Sequence, residues 1–145
     1  MLDLSKLRLS SSVKFSVTII LLVCIGAFLF YNTTTEPDIK VDSGSLIIKG
    51  MYSLNQPVKD IKEVSLKDDP PAILNKTNGI GFGNIMRGNF NVSDYGNGKL
   101  FLHLDSSPFV YVLYDDTYVI ISFKDSNKTK ALYDALIQAG APTAK

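Results

Sequence analysis

Cysteine and histidine are nearly missing from this chain: Cys24 and His103 are the single examples in 145 residues. One cysteine builds no intramolecular disulfide, so no covalent staple holds the fold. One histidine with no cysteine near it falls short of the ligand set of a zinc site. Nucleophilic triads need a base beside the serine or cysteine, and His103 is the one histidine that could serve. Arginine is also scarce, with Arg87 the only one after residue 31. Nucleic-acid binders and binders of anionic lipid present a clustered positive face. Outside Met1–Tyr31, which holds Lys6, Arg8, Lys14 and Asp3, 12 basic and 13 acidic residues leave a net charge of −1. Nucleic acid is therefore excluded as a partner, and strong binding to anionic lipid is disfavoured.

What the chain does have is one long apolar run. Residues 13–31, VKFSVTIILLVCIGAFLFY, carry a single charge, Lys14. As a helix, this segment is about 28 Å long, close to the ~30 Å hydrocarbon core of a bilayer. An amphipathic helix of a soluble domain keeps a polar face, and this one has none. The segment reads as a transmembrane helix over 13–31, preceded by a cytoplasmic tail over 1–12 in which Leu2, Leu4, Leu7 and Leu9 could form an interfacial turn. A cleaved secretory signal has a shorter apolar core and a small-residue exit. Here the exit is Phe28-Leu29-Phe30-Tyr31-Asn32. A lipid-bearing Cys24 needs a small residue before it, but Leu21, Leu22 and Val23 precede it. Cys24 then reads as a small packing residue. Lys6, Arg8 and Lys14 on one side outweigh Lys40 and Lys49 on the other. That bias places the N-terminus in the cytoplasm and the C-terminal domain outside the cell membrane.

Residues 32–44 are polar and aperiodic and read as a linker of up to about 40 Å. N-x-S/T triplets begin at Asn32, Asn75, Asn91 and Asn127 and matter only in a glycosylating host. A domain over 45–140 follows. Strand patterns recur at Leu46–Ile48 and on to Tyr52, at Ile61–Leu66, Ile85–Val92, Lys99–Leu104, Phe109–Tyr114 and Tyr118–Phe123. Asn75–Asn84 reads as an Asn- and Gly-rich loop. Asn97-Gly98 and Asp115-Asp116 are turn signals. A helix is expected over Ser126–Ala139, capped by Asp125 or Ser126 and stopped at Gly140. Its apolar face would hold Ala131, Leu132, Ala135, Leu136 and Ala139. Short strands and one closing helix give a mainly β domain, a small barrel or bent sandwich plugged at one end.

The cluster Gly79, Gly81, Gly83 and Gly88 is conspicuous. A phosphate loop needs glycines feeding a helix N-terminus. Here no Lys-Ser/Thr follows and the next segment is extended, so no nucleotide or other cofactor is expected. The plain reading is that the glycines allow close backbone approach or positive φ. The functional one is a partner-binding loop of Gly81, Phe82, Gly83 and Arg87. His103 alternates with apolar neighbours in LFLHLD and reads as a surface strand residue. Asp68-Asp69 and Asp115-Asp116 suit turns. No catalytic or metal-ligating set emerges from these residues.

The order of elements resembles the pleckstrin-homology (PH) fold. The residues resemble bacterial PH-like domains of small membrane proteins in Gram-positive bacteria. The stretches that carry the resemblance are 48–52 (IKGMY), 57–66 (PVKDIKEVSL), 76–79 (KTNG), 88–90 (GNF), 94–96 (DYG), 99–101 (KLF) and 123–125 (FKD). The resemblance implies a barrel of about seven strands closed by the C-terminal helix, and no catalytic activity. Two functions follow as expectations. One is a single-pass, membrane-anchored, non-catalytic module that binds another protein. The other is a small hydrolase or ligand-binding enzyme using His103 and the Asp68-Asp69 and Asp115-Asp116 carboxylates.

Overall fold

The computed structural model describes residues 10–145, with the side chain of Thr33 left aside. The reading of Leu2 to Leu9 as an interfacial turn falls outside them. The chain divides into two units, one ending at Thr35 and the other running from Glu36 to Lys145.

The first unit contains the helix α1, Ser11–Thr34. Its stretch Ser11–Asn32 is long and apolar enough to cross a membrane. Ser10 caps the start by accepting from the Val13 amide. The few polar side chains inside the helix bond back to its own backbone: the Ser16 hydroxyl donates to the Ser12 carbonyl and Thr18 to Lys14. Such internal satisfaction makes a hydroxyl tolerable in hydrocarbon, where no water can pair with it. Lys14 stands near the helix start, where its stem can carry the ammonium to the interface.

The second unit is mainly β. It has nine strands and one α-helix: β1 Ile39–Asp42, β2 Ser45–Ile48, β3 Leu54–Pro57, β4 Glu63–Lys67, β5 Ile73–Phe82, β6 Ile85–Val92, β7 Gly96–His103, β8 Phe109–Leu113, β9 Tyr118–Ile121 and α2 Ser126–Gln138. A three-stranded sheet has the order β1-β2-β3, and a six-stranded sheet has the order β4-β8-β9-β7-β6-β5. Neighbours in the second sheet are antiparallel except β7 and β9. That parallel pair interrupts the succession of hairpins, and β8 lies outside β9.

Several sequence expectations change here. Residues 39–42, expected in the linker, form β1 and pair with β2. Most of the expected Asn75–Asn84 loop belongs to β5, the longest strand. The Asn97-Gly98 turn is displaced to Ser93–Tyr95, and Gly98 is buried inside β7. The cause is Tyr118: a Cβ on Gly98 would lie 2.7 Å from its ring. The Tyr118 hydroxyl continues past it to donate to the Phe90 carbonyl at 2.7 Å. The need for a bare backbone under the ring outweighs the local turn preference.

Two cores result. One holds Leu46, Ile48, Val58, Ile61, Phe101, Val112, Ile121, Leu132 and Leu136, and joins the small sheet and α2 to one face of the large sheet. The other holds Phe90, Leu100, Leu102, Phe109, Tyr111, Tyr118 and Ile120 on the opposite face. The large sheet curls around this second core. In a flat sheet β4 and β6 would stand about 19 Å apart, four spacings of ~4.8 Å. Here Lys67 of β4 donates to the hydroxyl of Tyr95, in the turn after β6, at 2.7 Å. Strands β4 and β5 remain the two edges, so the sheet does not close into a hydrogen-bonded barrel. The C-terminal segment covers β4 through a single bridge of Thr143 to Val64.

On α2, Asp125 caps the start by accepting from the Asn127 amide. The buried face is Thr129, Leu132 and Leu136, while Ala131 and Ala139 are exposed. Thr129 takes an inward position because its hydroxyl accepts from the Phe123 amide at 2.9 Å.

Candidate functional site

The β5–β6 hairpin closes at the pair Phe82 and Ile85, with Gly83 and Asn84 between them. The tip is tied to the end of β7, since the Leu104 amide donates to the Asn84 carbonyl at 2.8 Å. Directly opposed residues of a ladder project to one face. The register of β5, β6 and β7 therefore puts Phe82, Ile85, Arg87, Phe101 and His103 on a single face. Gly81 pairs with Met86 on the other face. Phe82 is 58% exposed at the rim. Arg87 is only 7% exposed, which corrects the expectation of an arginine presented on a loop. It lies in the middle of β6, where its partners Ile80 and Phe101 flank it in the register. Burial pushes its guanidinium down, and Glu36 opposes that effect.

His103 also departs from expectation. Its side chain is 13% exposed and mostly enclosed, instead of standing on the surface. Ser122 holds its backbone: the Ser122 hydroxyl accepts from the His103 amide at 2.9 Å and donates to its carbonyl at 3.1 Å. The imidazole Nε2 lies 3.8 Å from Oε1 of Glu36. Glu36 is the first residue of the domain. Its carboxylate accepts from the Lys124 amide at 2.8 Å and from the Lys128 ammonium at 3.1 Å. The Lys128 ammonium also lies over the Phe123 ring, 4.3 Å from its centre, so the one charge faces both the aromatic face and Glu36.

The electrostatics of this end are coupled. Burial alone would raise the Glu36 carboxyl, but the Lys124 amide, Lys128 and His103 together hold it below the ordinary carboxylate range. Burial pushes the His103 imidazole below the ordinary histidine range. Glu36 and Asp105 oppose that shift, whereas Arg87 and Lys124 add to it. At neutral pH the cluster therefore holds a neutral imidazole beside an ionised carboxylate.

Glu36, Lys124, Lys128 and Ser122 were not candidates from the sequence. Glu36 stands 88 and 92 residues from its partners, so no local spacing points to the contact. The remaining carboxylates are dispersed. Asp68 accepts from Ser107 at 3.3 Å, and Asp115 pairs with Lys62 at 3.3 Å. The charged groups acting on His103 include none of Asp68, Asp69, Asp115 and Asp116. Among the described residues, no three His, Cys, Asp or Glu side chains gather in a way that could hold a metal ion.

Searches of family models, curated proteins and solved structures find no match to this chain.

Proposed function

We propose that this chain is a single-pass membrane protein whose PH-like domain is a non-catalytic module binding another protein through the end that carries the β5–β6 tip. The observation that carries the reading is Phe82, a large aromatic side chain 58% exposed at the tip of the β5–β6 hairpin. Aromatic residues at such positions are frequent anchors of protein interfaces. The tip is held by β7 through Asn84 and Leu104, so the anchor is displayed on a braced support. The PH-like reading draws support from the order of elements, a run of short strands followed by one closing helix. The non-catalytic reading draws support from the dispersal of Asp68, Asp69, Asp115 and Asp116, none of which acts on His103.

The N-terminus is assigned to the cytoplasm and the domain to the outer surface, on the bias of Lys6, Arg8 and Lys14. Protease treatment of intact cells should remove the domain; its protection would reverse the orientation.

The binding reading is tested by capturing membrane partners with the full chain and with Phe82→Ala. Loss of a partner from Phe82→Ala, with the domain still folded, supports the tip as the site. Retention of every partner moves the site elsewhere. Arg87→Ala is a poor probe, because removing a buried cation alters the fold as well as the surface. Turnover by the purified protein that depended on His103 would replace the binding module with an enzyme.

A further inference from the structure

We propose that Glu36 and His103 form a proton-controlled clasp on the first residue of the domain, tightened when His103 gains a proton and released when Glu36 does. The inference stands on the geometry of the cluster and does not depend on the identity of a binding partner.

The segment joining α1 to β1 is short, and Glu36 follows Thr35, the residue that caps α1. Glu36 is anchored by three groups from separate parts of the domain: the amide of Lys124 after β9, the ammonium of Lys128 on α2, and the ring of His103 on β7. Two of these are hydrogen bonds. The third is not, since 3.8 Å exceeds hydrogen-bond distance. The Nε2 atom is shielded from solvent and has no hydrogen-bond partner. A neutral imidazole can leave Nε2 without a proton, whereas an imidazolium carries a donor on both nitrogens. The acceptor facing Nε2 is Oε1 of Glu36, so a small approach converts an idle contact into a charge-assisted hydrogen bond.

Every charged group around the ring enters this balance. Glu36 before β1 and Asp105 after β7 favour the imidazolium. Arg87 on β6 and Lys124 after β9 disfavour it. Lys128 on α2 acts on Glu36. The coupling is reciprocal: whatever Glu36 does to the charge on His103, that charge does to the hold on Glu36. The hold is strongest where His103 is charged and Glu36 is still ionised. It weakens above that window, when the ring is neutral, and below it, when the carboxyl takes a proton.

The test uses the full chain in detergent micelles, with nuclear magnetic resonance of the His103 ring and hydrogen exchange of the Lys124 amide. In the wild type, protection of that amide should rise about two- to fivefold as His103 takes up its proton, below the ordinary histidine range, the factor that a partly exposed ion pair supplies. In Glu36→Gln the His103 midpoint should move to lower pH. In His103→Gln the rise should vanish; this variant keeps the Ser122 bonds, which go to the backbone of residue 103. Flat protection in the wild type overturns the clasp without reference to any variant. An unchanged His103 midpoint in folded Glu36→Gln overturns it as well. Neither result bears on partner capture through Phe82, which is measured separately.

Discussion

Gly79 and Gly88 are directly opposed in the β5–β6 ladder, and neither has room for a side chain. A Cβ on Gly79 would lie 2.6 Å from the Arg87 carbonyl oxygen and 2.9 Å from the Phe90 ring. A Cβ on Gly88 would lie 2.6 Å from the Asn78 carbonyl oxygen and 3.0 Å from the Tyr52 ring, at a φ of +115°. The glycine cluster thus serves close approach of backbone and aromatic rings. Tyr52, from the turn before β3, joins the small sheet to the large one at this point.

Gly88→Ala should therefore cost about 2–5 kcal/mol, combining left-handed strain with overpacking against backbone. Gly83→Ala meets open space at a φ of +56° and should cost about 1–2 kcal/mol, the strain alone. Denaturant unfolding of both variants checks the ordering. Equal losses would mean that the cross-strand contact is relaxed in solution.

Leu136 is fully buried between α2 and the first core. Leu136→Ala should cost about 2–5 kcal/mol, the usual loss for a large-to-small change in a packed core. Ala131→Ser on the exposed side of α2 should change stability by about 0.5 kcal/mol or less. Thermal unfolding separates the two faces; a small loss at Leu136 would show that the helix is not docked.

Cys24 lies in the middle of α1 and is the lone thiol of the chain. In native membranes a membrane-impermeant maleimide should leave it unmodified. Detergent solubilisation followed by denaturation should make it reactive. Labelling of Cys24 in sealed membranes would show that α1 does not span. A mature protein lacking residues 1–27 on N-terminal sequencing would show that the segment is a cleaved signal.

Acid should destabilise the domain even as it tightens the clasp. The folded His103 takes up its proton at lower pH than the unfolded chain does. The unfolded state then binds more protons, so stability falls as pH drops from about 6.5 through the folded value. Glu36 acts with the same sign lower down: its folded pKa is depressed, and its contribution is lost as the carboxyl protonates. The Tm of the wild type should decline in both ranges, and His103→Gln should remove the first decline alone. At the alkaline end, burial pushes Tyr111, Tyr114 and Tyr118 up to about 12. Their phenolates should appear later than that of an exposed tyrosine in an absorbance titration. Stability should fall as pH rises above about 10, because the unfolded chain gives up those protons first.

The sequence by itself determined the elements whose signal is local. An unbroken apolar run made α1, because a helix with no polar face needs an apolar surround on every side. Alternating apolar residues marked β4 and β6, and continuous apolar runs marked β8 and β9, which are buried on both faces. Asp125, Leu132, Leu136 and Gly140 marked α2 and its limits. The Asp115-Asp116 turn was legible because it joins strands that pair with each other. Only the tertiary structure decided the rest. Gly98 left its expected turn because the Tyr118 ring needed a bare backbone beneath it. The polar segment over Ile39–Asp42 became a strand because β2 offered an edge to pair with. Arg87 went inside because its place in the register of β6 faces the buried side of the sheet. Glu36 and His103 met because the end of β7, the segment after β9 and the start of α2 converge on the domain's first residue. A contact spanning 88 residues has no local spacing to announce it.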